Sequence, residues 1–334
     1  AAAAAAAAAA APVRVVSYLR AGPRHSIYHD PAASRAAIVT CGGLCPGMND
    51  VIAAVTHTLH TTYGVRDVMG VRSGFHGFYK PDLQPPMRLT PDSVRGMQHA
   101  AGTMLGSARG GFDPEKILTA LQAWGCNLVF IIGGDGTHRG AQALADFCRE
   151  RGLPISVTGV PKTIDNDLGM IDRSFGFESA VEEAVHAIKS AKTEARCAPN
   201  GIGIVKLMGR DSGFIAAHAT ISAGDVDLLL IPELPLNLDP ASASNVFLHL
   251  ERVLEKRGHA VVVLSEGAGA DHLLKEKRLA QTDAHGNQPK LPPIGVYMKS
   301  KIAQWFEDKG EKEVTVKYID PSYIVSLVVV CCLF

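Results

Sequence analysis

The sequence predicts an α/β protein built on parallel sheet. Two observations predict it: short apolar runs alternate with helical stretches along most of the chain, and glycine- or carboxylate-rich turns follow those runs. Residues 36–41 (AAIVTC) form an apolar run that ends in Gly42-Gly43, and 49–62 then reads as a helix. Residues 128–132 (LVFII) are a second buried strand, followed by Gly133-Gly134-Asp135-Gly136-Thr137 and a helix near 139–151. Residues 155–160 are a third strand. The stretch 178–192 is helical, with Glu182 and Glu183 expected on its exposed face. Strands follow at 201–207, 227–231 and 260–264, with an amphipathic helix near 242–257. Strands this apolar fit a sheet covered on both faces. No period of 20–50 residues repeats, which argues against a solenoid.

Composition narrows the class. The chain has 334 residues, 47% hydrophobic and 20% charged, enough for two ordinary domains. Lys+Arg and Asp+Glu are 33 each, so the formal net charge is zero, and nothing supports a nucleic-acid or membrane-surface protein. Any anion site is therefore local. The seven cysteines (Cys41, Cys45, Cys126, Cys148, Cys197, Cys331, Cys332) are too scattered for a disulfide scaffold, and Cys41 and Cys45 lack a second Cys/His pair for zinc. A reducing compartment fits. No apolar run has the length of a spanning helix. The chain starts with eleven alanines, and from there to Asp30 it has basic but no acidic residues. Residues 1–34 are read as a leader, either the remnant of a transit peptide or a flexible arm, so cytoplasm is expected with a plastid left open.

In parallel α/β proteins ligands sit in the loops at the carboxyl ends of the strands. That rule selects residues 42–49, 133–137, 161–167 and 265–269, all rich in glycine or carboxylate. Glycines at 133–136 let backbone N–H groups approach phosphate oxygens, with a helix N-terminus behind them. Asp135 could hold Mg²⁺ at such phosphates. A plain helix-capping turn is the competing reading, and the GxxxxGK[ST] pattern is absent. In Pro161-Lys162-Thr163-Ile164-Asp165-Asn166-Asp167, either Asp165 or Asp167 could serve as the base for a sugar hydroxyl, or the run could be an Asx turn. Met208-Gly209-Arg210-Asp211 offers an arginine fork for a substrate phosphate or a surface ion pair. Ser265-Glu266-Gly267 offers a carboxylate for sugar hydroxyls. Gly106-Ser107-Ala108-Arg109 offers a second arginine for the charge of phosphoryl transfer. The 13 histidines are unclustered, and His138 has no assigned role.

With these loops in this order, the sequence resembles the phosphofructokinase family. The matching segments are TCGGLCPGMN (40–49), GTMLGSAR (102–109), GGDGT (133–137), PKTIDND (161–167), MGRDSG (208–213) and SEG (265–267), spread over about residues 35 to 323. GGDGT alone also occurs in lipid and NAD kinases; followed by TIDND and MGR it is specific. The resemblance implies two Rossmann-like parallel-sheet domains with the catalytic cleft between them, the nucleotide domain at 35–176 and the sugar-phosphate domain at 177–325. It implies phosphorylation of fructose 6-phosphate to fructose 1,6-bisphosphate with ATP and Mg²⁺. Gly42, Arg109, Gly110, Gly134, Asp135, Gly136 and Thr137 would contact the nucleotide, with Asp135 on the metal. Asp165 would be the base, with Thr163, Asp167 and Lys162 beside it. Met208, Gly209, Arg210, Glu266, Lys317 and Tyr323 would bind the sugar phosphate, Thr163 and Asp165 sharing that task. A homo-oligomer, dimer or tetramer, is implied.

Three readings compete on the residues. Gly136 stands where pyrophosphate-using members carry Asp, which favours ATP. Lys162 is the pyrophosphate-type residue. The pair together resembles the plant and protist ATP-dependent branch, as does 20–31 (RAGPRHSIYHDP). A pyrophosphate-dependent transferase is therefore the second reading. The third is a non-catalytic subunit or inactive fragment. In this branch 317–323 (KYIDPSY) runs on to an arginine, here replaced by Ser326, and then to a segment that returns to the nucleotide domain. The stretch 326–334 is expected to be an atypical apolar end, a product of read-through or frameshift, in place of that segment; a shortened terminal strand is the competing view.

Overall fold

The computed structural model describes residues 22, 24–80, 82, 84–169, 171–277, 291–310 and 313–327. The polyalanine start and residues 328–334, on which two expectations rested, lie outside the described residues. Contacts divide the chain into Ala1–Asp30 and Pro31–Phe334, and the second unit holds both sheets.

The first sheet comprises β1 (Arg35–Thr40), β2 (Asp67–Val71), β3 (Met87–Leu89), β4 (Leu128–Gly133) and β5 (Ser156–Pro161) in the order β3-β2-β1-β4-β5. All pairs are parallel except β2 with β3. Its helices are α1 (Met48–His57), α2 (Pro114–Trp124) and α3 (Asp135–Glu150). The second sheet comprises β6 (Gly201–Leu207), β7 (Leu228–Leu230), β8 (His259–Ser265) and β9 (Val316–Ile319), all parallel, in the order β7-β8-β6-β9. Its helices are α4 (Phe177–Cys197), α5 (Phe214–Ala223), α6 (Val246–Arg257), α7 (Ala270–Lys277), α8 (Ile294–Asp308) and α9 (Ser322–Leu327). No described helix is long and apolar enough to cross a membrane.

Successive strand residues point to opposite faces, and both faces of each sheet are covered. Ala37, Val39, Val129 and Ile131 pack under α2 and α3, while Ala36, Ile38 and Ile132 pack with Ile52 of α1. In the second sheet Val205, Leu207, Val261 and Val263 meet α4 and α5, and Ile202, Ile204, Val262 and Leu264 meet α6 and α8. Burial on both sides is why these strands read as unbroken apolar runs. Cys45 and Ile164, from loops of the first sheet, and Met48, at the start of α1, enter the same buried cluster as Phe177, Ala180 and Val205. Packing, not a linker, joins the sheets.

Two helices depart from expectation. The helix expected over 49–62 is α-helical only to His57 and continues as a wider π turn, Thr58–Tyr63, closed by left-handed Gly64. Thr56 and Thr61 donate their hydroxyls to Ile52 O and His57 O, four residues back, a bond that competes with regular helix geometry. Helix α3 starts at Asp135, four residues before the expected 139, so most of the glycine loop is the first helical turn; His138 N donates to Gly134 O at 2.9 Å. Glu182 is exposed as expected, and Glu183 is half-buried.

Helix α4 lies on β6 through small residues. A side chain at Gly203 would bring its Cβ to 2.6 Å from Ala191 O. Gly203→Val therefore lowers stability by about 1–3 kcal/mol despite valine's better strand propensity. A chemical denaturation midpoint unchanged from the parent would contradict this packing.

Candidate active site

Five loops at the carboxyl ends of strands converge. The loop after β1 is stitched to 106–109: Gly42 N donates to Ala108 O (3.0 Å), Ser107 Oγ to Gly42 O (2.7 Å) and Thr40 Oγ1 to Gly106 O (2.7 Å). Asn49, buried on α1, holds the approach to that segment: its Nδ2 donates to Met97 O and Ala100 O, and its Oδ1 accepts from Met104 N. The last residue of the first motif thus positions backbone. Its consequence is that Arg109 reaches Gly43, where an added Cβ would lie 3.7 Å from a guanidinium nitrogen.

Gly42 has φ of 87°, which favours glycine, and an added Cβ would lie 3.6 Å from Lys162 Nζ. Lys162 is anchored by its N–H to Gly133 O (2.9 Å) and is buried. Burial, reinforced by the Arg109 charge, pulls its ammonium below the usual lysine range, against the opposing effects of Cys45, Cys41 and Asp165. The two thiols do not serve as partners: burial pushes Cys41 and Cys45 up to about 12. A desolvated ammonium beside an arginine on a glycine floor is a site for an anion.

Asp135, Gly136 and Thr137 form the first turn of α3. A Cβ at Gly133 would collide with the Thr137 side chain at 2.5 Å, so Gly133 is required for Thr137 to fold back. Gly136 is different: it is exposed, its φ is not positive, and a Cβ there would meet nothing nearer than Arg139 at 3.9 Å. The fold does not need glycine at 136. Asp135, His138, Arg139 and Gln142 of α3 face Pro161, Leu168 and Ile171 across an open hollow of about 400 Å³. Asp135 is exposed, and no hydrogen bond or ion pair engages its carboxylate among the described residues. Those residues contain no cluster of three His, Cys, Asp or Glu that could grip a metal unaided, so an ion at Asp135 would depend on ligand oxygens, as Mg²⁺ sites do.

The loop 161–167 turns at Asn166, whose left-handed φ of 55° asparagine tolerates. Asn166 Oδ1 accepts from Ser174 N (2.8 Å), and Ser174 Oγ donates to Thr163 O. Thr163 Oγ1 accepts from Asp165 N (3.1 Å) and donates to Asp167 Oδ1 (3.2 Å). Asp165 is thereby turned toward the second sheet, where Ser212 Oγ donates to its carbonyl (3.1 Å) and the Arg210 N–H to its carboxylate. Its Oδ1 is buried with no partner. Burial, with the charges of Asp167, Glu266 and Asp211 adding to it, raises the carboxyl to about 7, against the Arg210 N–H. That is the value of a general base near neutral pH.

The loops after β6 and β8 touch directly. Glu266 N donates to Leu207 O (2.9 Å) and Gly267 N to Gly209 O (3.1 Å). A Cβ at Gly267 would sit 1.7 Å from Arg210 O, so only glycine fits there. Glu266 is raised by burial, opposed by Lys206 and Arg210. Met208 packs on the core beside Gly209, whose φ is 119°. The structure thus brings Gly42, Arg109 and Lys162 together, and Thr163, Asp165, Asp167, Arg210 and Glu266 together. Gly110 has an open flank and φ of 72°. Lys317 and Tyr323 stand apart: Lys317 is exposed in edge strand β9, Tyr323 is 82% exposed on α9, and no hydrogen bond or ion pair joins either to the Asp165–Glu266 cluster. Ser326 spends its hydroxyl on Ser322 O and Tyr323 O of its own helix. Sequence reasoning missed Ser174, which closes the 163–166 turn, and Ser212, Lys206 and Asp320, which find partners remote in sequence.

Two largely parallel sheets whose carboxyl-end loops carry a glycine floor, a buried lysine and a carboxylate with one unpartnered oxygen define an α/β group-transfer site. The phosphofructokinase family profile matches residues 35–323, and the chain belongs to that family. It is 47% identical over 315 residues to ATP-dependent 6-phosphofructokinase 2 of Arabidopsis thaliana, covering 94% of this chain and 70% of that protein. It is also 47% identical to the ATP-dependent 6-phosphofructokinase of Borreliella burgdorferi, covering 92% of this chain and 68% of that one. Among solved structures, a pyrophosphate-dependent phosphofructokinase from Marinobacter aquaeolei superposes with a TM-score of 0.67 at 22% identity, covering 87% and 69% of the two chains. Pichia pastoris phosphofructokinase in the T-state gives 0.68 at 22% identity, covering 94% of this chain and 32% of that one. The likeness to these structures is one of fold.

A carboxyl kept neutral in the fold but ionised in the unfolded chain costs stability once pH exceeds its unfolded value near 4, and the cost grows until about 7, where the folded carboxyl also ionises. Asp165→Asn therefore stabilises the ligand-free protein at pH 8, by on the order of 2 kcal/mol, with the gain gone by pH 4. Thermal unfolding across that range checks this; a gain independent of pH would contradict the raised carboxyl.

Proposed function

We propose that this chain is an ATP-dependent 6-phosphofructokinase that transfers the terminal phosphoryl group of ATP to the 1-hydroxyl of fructose 6-phosphate. The observation behind this reading is the buried, unpartnered Oδ1 of Asp165 where the loops of the two sheets meet. Asp165 takes the hydroxyl proton as the phosphoryl group transfers, and Thr163 and Asp167 hold the loop that aims it. Arg210 and Glu266 bind the sugar phosphate and sugar hydroxyls. Lys162, Arg109 and the N–H groups of the Gly134–Thr137 backbone receive phosphate oxygens, over the floor that Gly42 leaves open. Mg²⁺ held at Asp135 would neutralise phosphate charge during transfer. The chain acts as a dimer or tetramer. The exposed Phe214 and Ile221 on α5 suit a face that a second copy covers.

ATP is favoured over pyrophosphate by two observations: the relatives at 47% identity are ATP-dependent enzymes, and Gly136 is small without the fold requiring it. Its smallness leaves room for the rest of a nucleotide. The pyrophosphate reading rests on buried Lys162. The non-catalytic reading rests on Ser326, which supplies no cation from α9.

Purified protein given Mg²⁺ and fructose 6-phosphate should form fructose 1,6-bisphosphate with ATP and not with pyrophosphate. Product from pyrophosphate would make Lys162 the better guide, and no product from either donor, in a folded sample, would support a non-catalytic chain. Gly136→Asp places a charge against the donor phosphates and should cut ATP turnover at least roughly tenfold without lowering thermal stability. An undiminished ATP rate would remove the steric argument for the donor.

A further inference from the structure

One face of the second sheet carries a polar row that runs up to Glu266 and whose other members have no role in the site as described. Lys206, at the end of β6, is a largely buried lysine, its side chain 15% exposed. Its Nζ meets Asp320 Oδ2 at 2.9 Å. In the parallel register Ile204 faces Tyr318 and Val205 faces Ile319, so Asp320 is the next residue beyond β9, level with Lys206. On its other side Lys206 faces Leu264, two residues before Glu266, whose N–H is bonded to Leu207 O. Alternation therefore puts Lys206, Tyr318, Asp320 and Glu266 toward the same face at the carboxyl end. Asp320 is the hub: it also accepts from the Tyr318 hydroxyl (3.2 Å), Ser322 N (3.2 Å) and Ser322 Oγ (2.6 Å). Tyr318 in turn is pressed on α8 at Gly295, where an added Cβ would lie 2.2 Å from its ring.

So many bonds on Asp320 fix the lysine that it anchors. We propose that Lys206, clamped by Asp320 and placed by the β6–β8 register beside the loop of Glu266, is a positioning residue that supports the Glu266 carboxylate in the sugar site. The proposal rests on the functional reading above and adds a residue that acts through Glu266 without touching substrate. The charged groups facing Glu266 are Lys206, Arg210, Asp211 and Asp320, with Asp165 across the cleft. Burial drives Glu266 toward its neutral form, and Lys206 is the foremost opposing charge, ahead of Arg210. Arg210 would be engaged by the sugar phosphate during binding. Lys206, held by Asp320, keeps its effect throughout.

The test is Lys206→Met with Lys206→Arg as the conservative control. Carboxyl NMR of glutamate-labelled protein, with Glu266 assigned from Glu266→Gln, reads the titration directly. Lys206→Met should raise its midpoint by about 1 in pH, and raise KM for fructose 6-phosphate roughly tenfold at neutral pH with kcat within about twofold. Lys206→Arg should restore both. A Glu266 titration unmoved in folded Lys206→Met would overturn the proposal, as would a loss confined to kcat. If the methionine variant does not fold, Lys206→Gln, which keeps a hydrogen bond for Asp320, must show the same upward movement. If the parent protein turns over no fructose 6-phosphate, the functional reading fails, while the titration still decides the role of Lys206.

Discussion

The site depends on one unfavourable arrangement: a half-buried carboxylate, Asp165, set among other carboxylates with its buried Oδ1 unpartnered. Such a group is tolerated only where rigid surroundings over-determine its place. Here the surroundings come from both sheets. The first supplies the turn through Thr163, left-handed Asn166 and Ser174, and the second supplies the Arg210 N–H and the Ser212 hydroxyl. The shared cluster of Cys45, Met48, Ile164, Phe177 and Val205 keeps the sheets in register with each other. The folding core therefore serves a carboxyl that the folded state itself disfavours.

The glycines of the motifs divide by what requires them. Gly42 is required by its backbone angle, Gly133 by the Thr137 side chain and Gly267 by the Arg210 carbonyl. These maintain the fold of the loops. Gly136 meets no such demand, and this contrast is what gives it weight as a donor-selecting position. Two groups are held against their ordinary charge by burial: Lys162, whose ammonium is lowered, and Asp165, whose carboxyl is raised.

Much of the fold was legible because strands buried on two faces become unbroken apolar runs, as at 128–132 and 260–264. Strands β2 and β3 were not expected; Asp67–Val71 is interrupted by Gly70, and Met87–Leu89 is only three residues long. Helix α2 was also passed over, although Asp113 caps it, Pro114 opens it and left-handed Gly125 closes it. The start of α3 was placed late because glycine and threonine resemble a turn yet sit well in a first helical turn. At the site, the motif loops carried their own chemistry and could be read directly. The Lys206–Asp320 pair could not, since each residue alone looks like a surface charge and only the β6–β9 register brings them together. Lys317 and Tyr323, assigned by resemblance, make no hydrogen bond or ion pair with the cluster among the described residues.

The central claim is that Asp165 performs the proton transfer and does not hold the nucleotide. The most direct test is Asp165→Ala, with ATP binding measured by calorimetry and turnover measured with fructose 6-phosphate. The account predicts turnover reduced at least roughly a hundredfold, within the range for a lost general base, and an ATP affinity nearly that of the parent. Loss of ATP binding in a folded variant, or turnover close to the parent's, would contradict it.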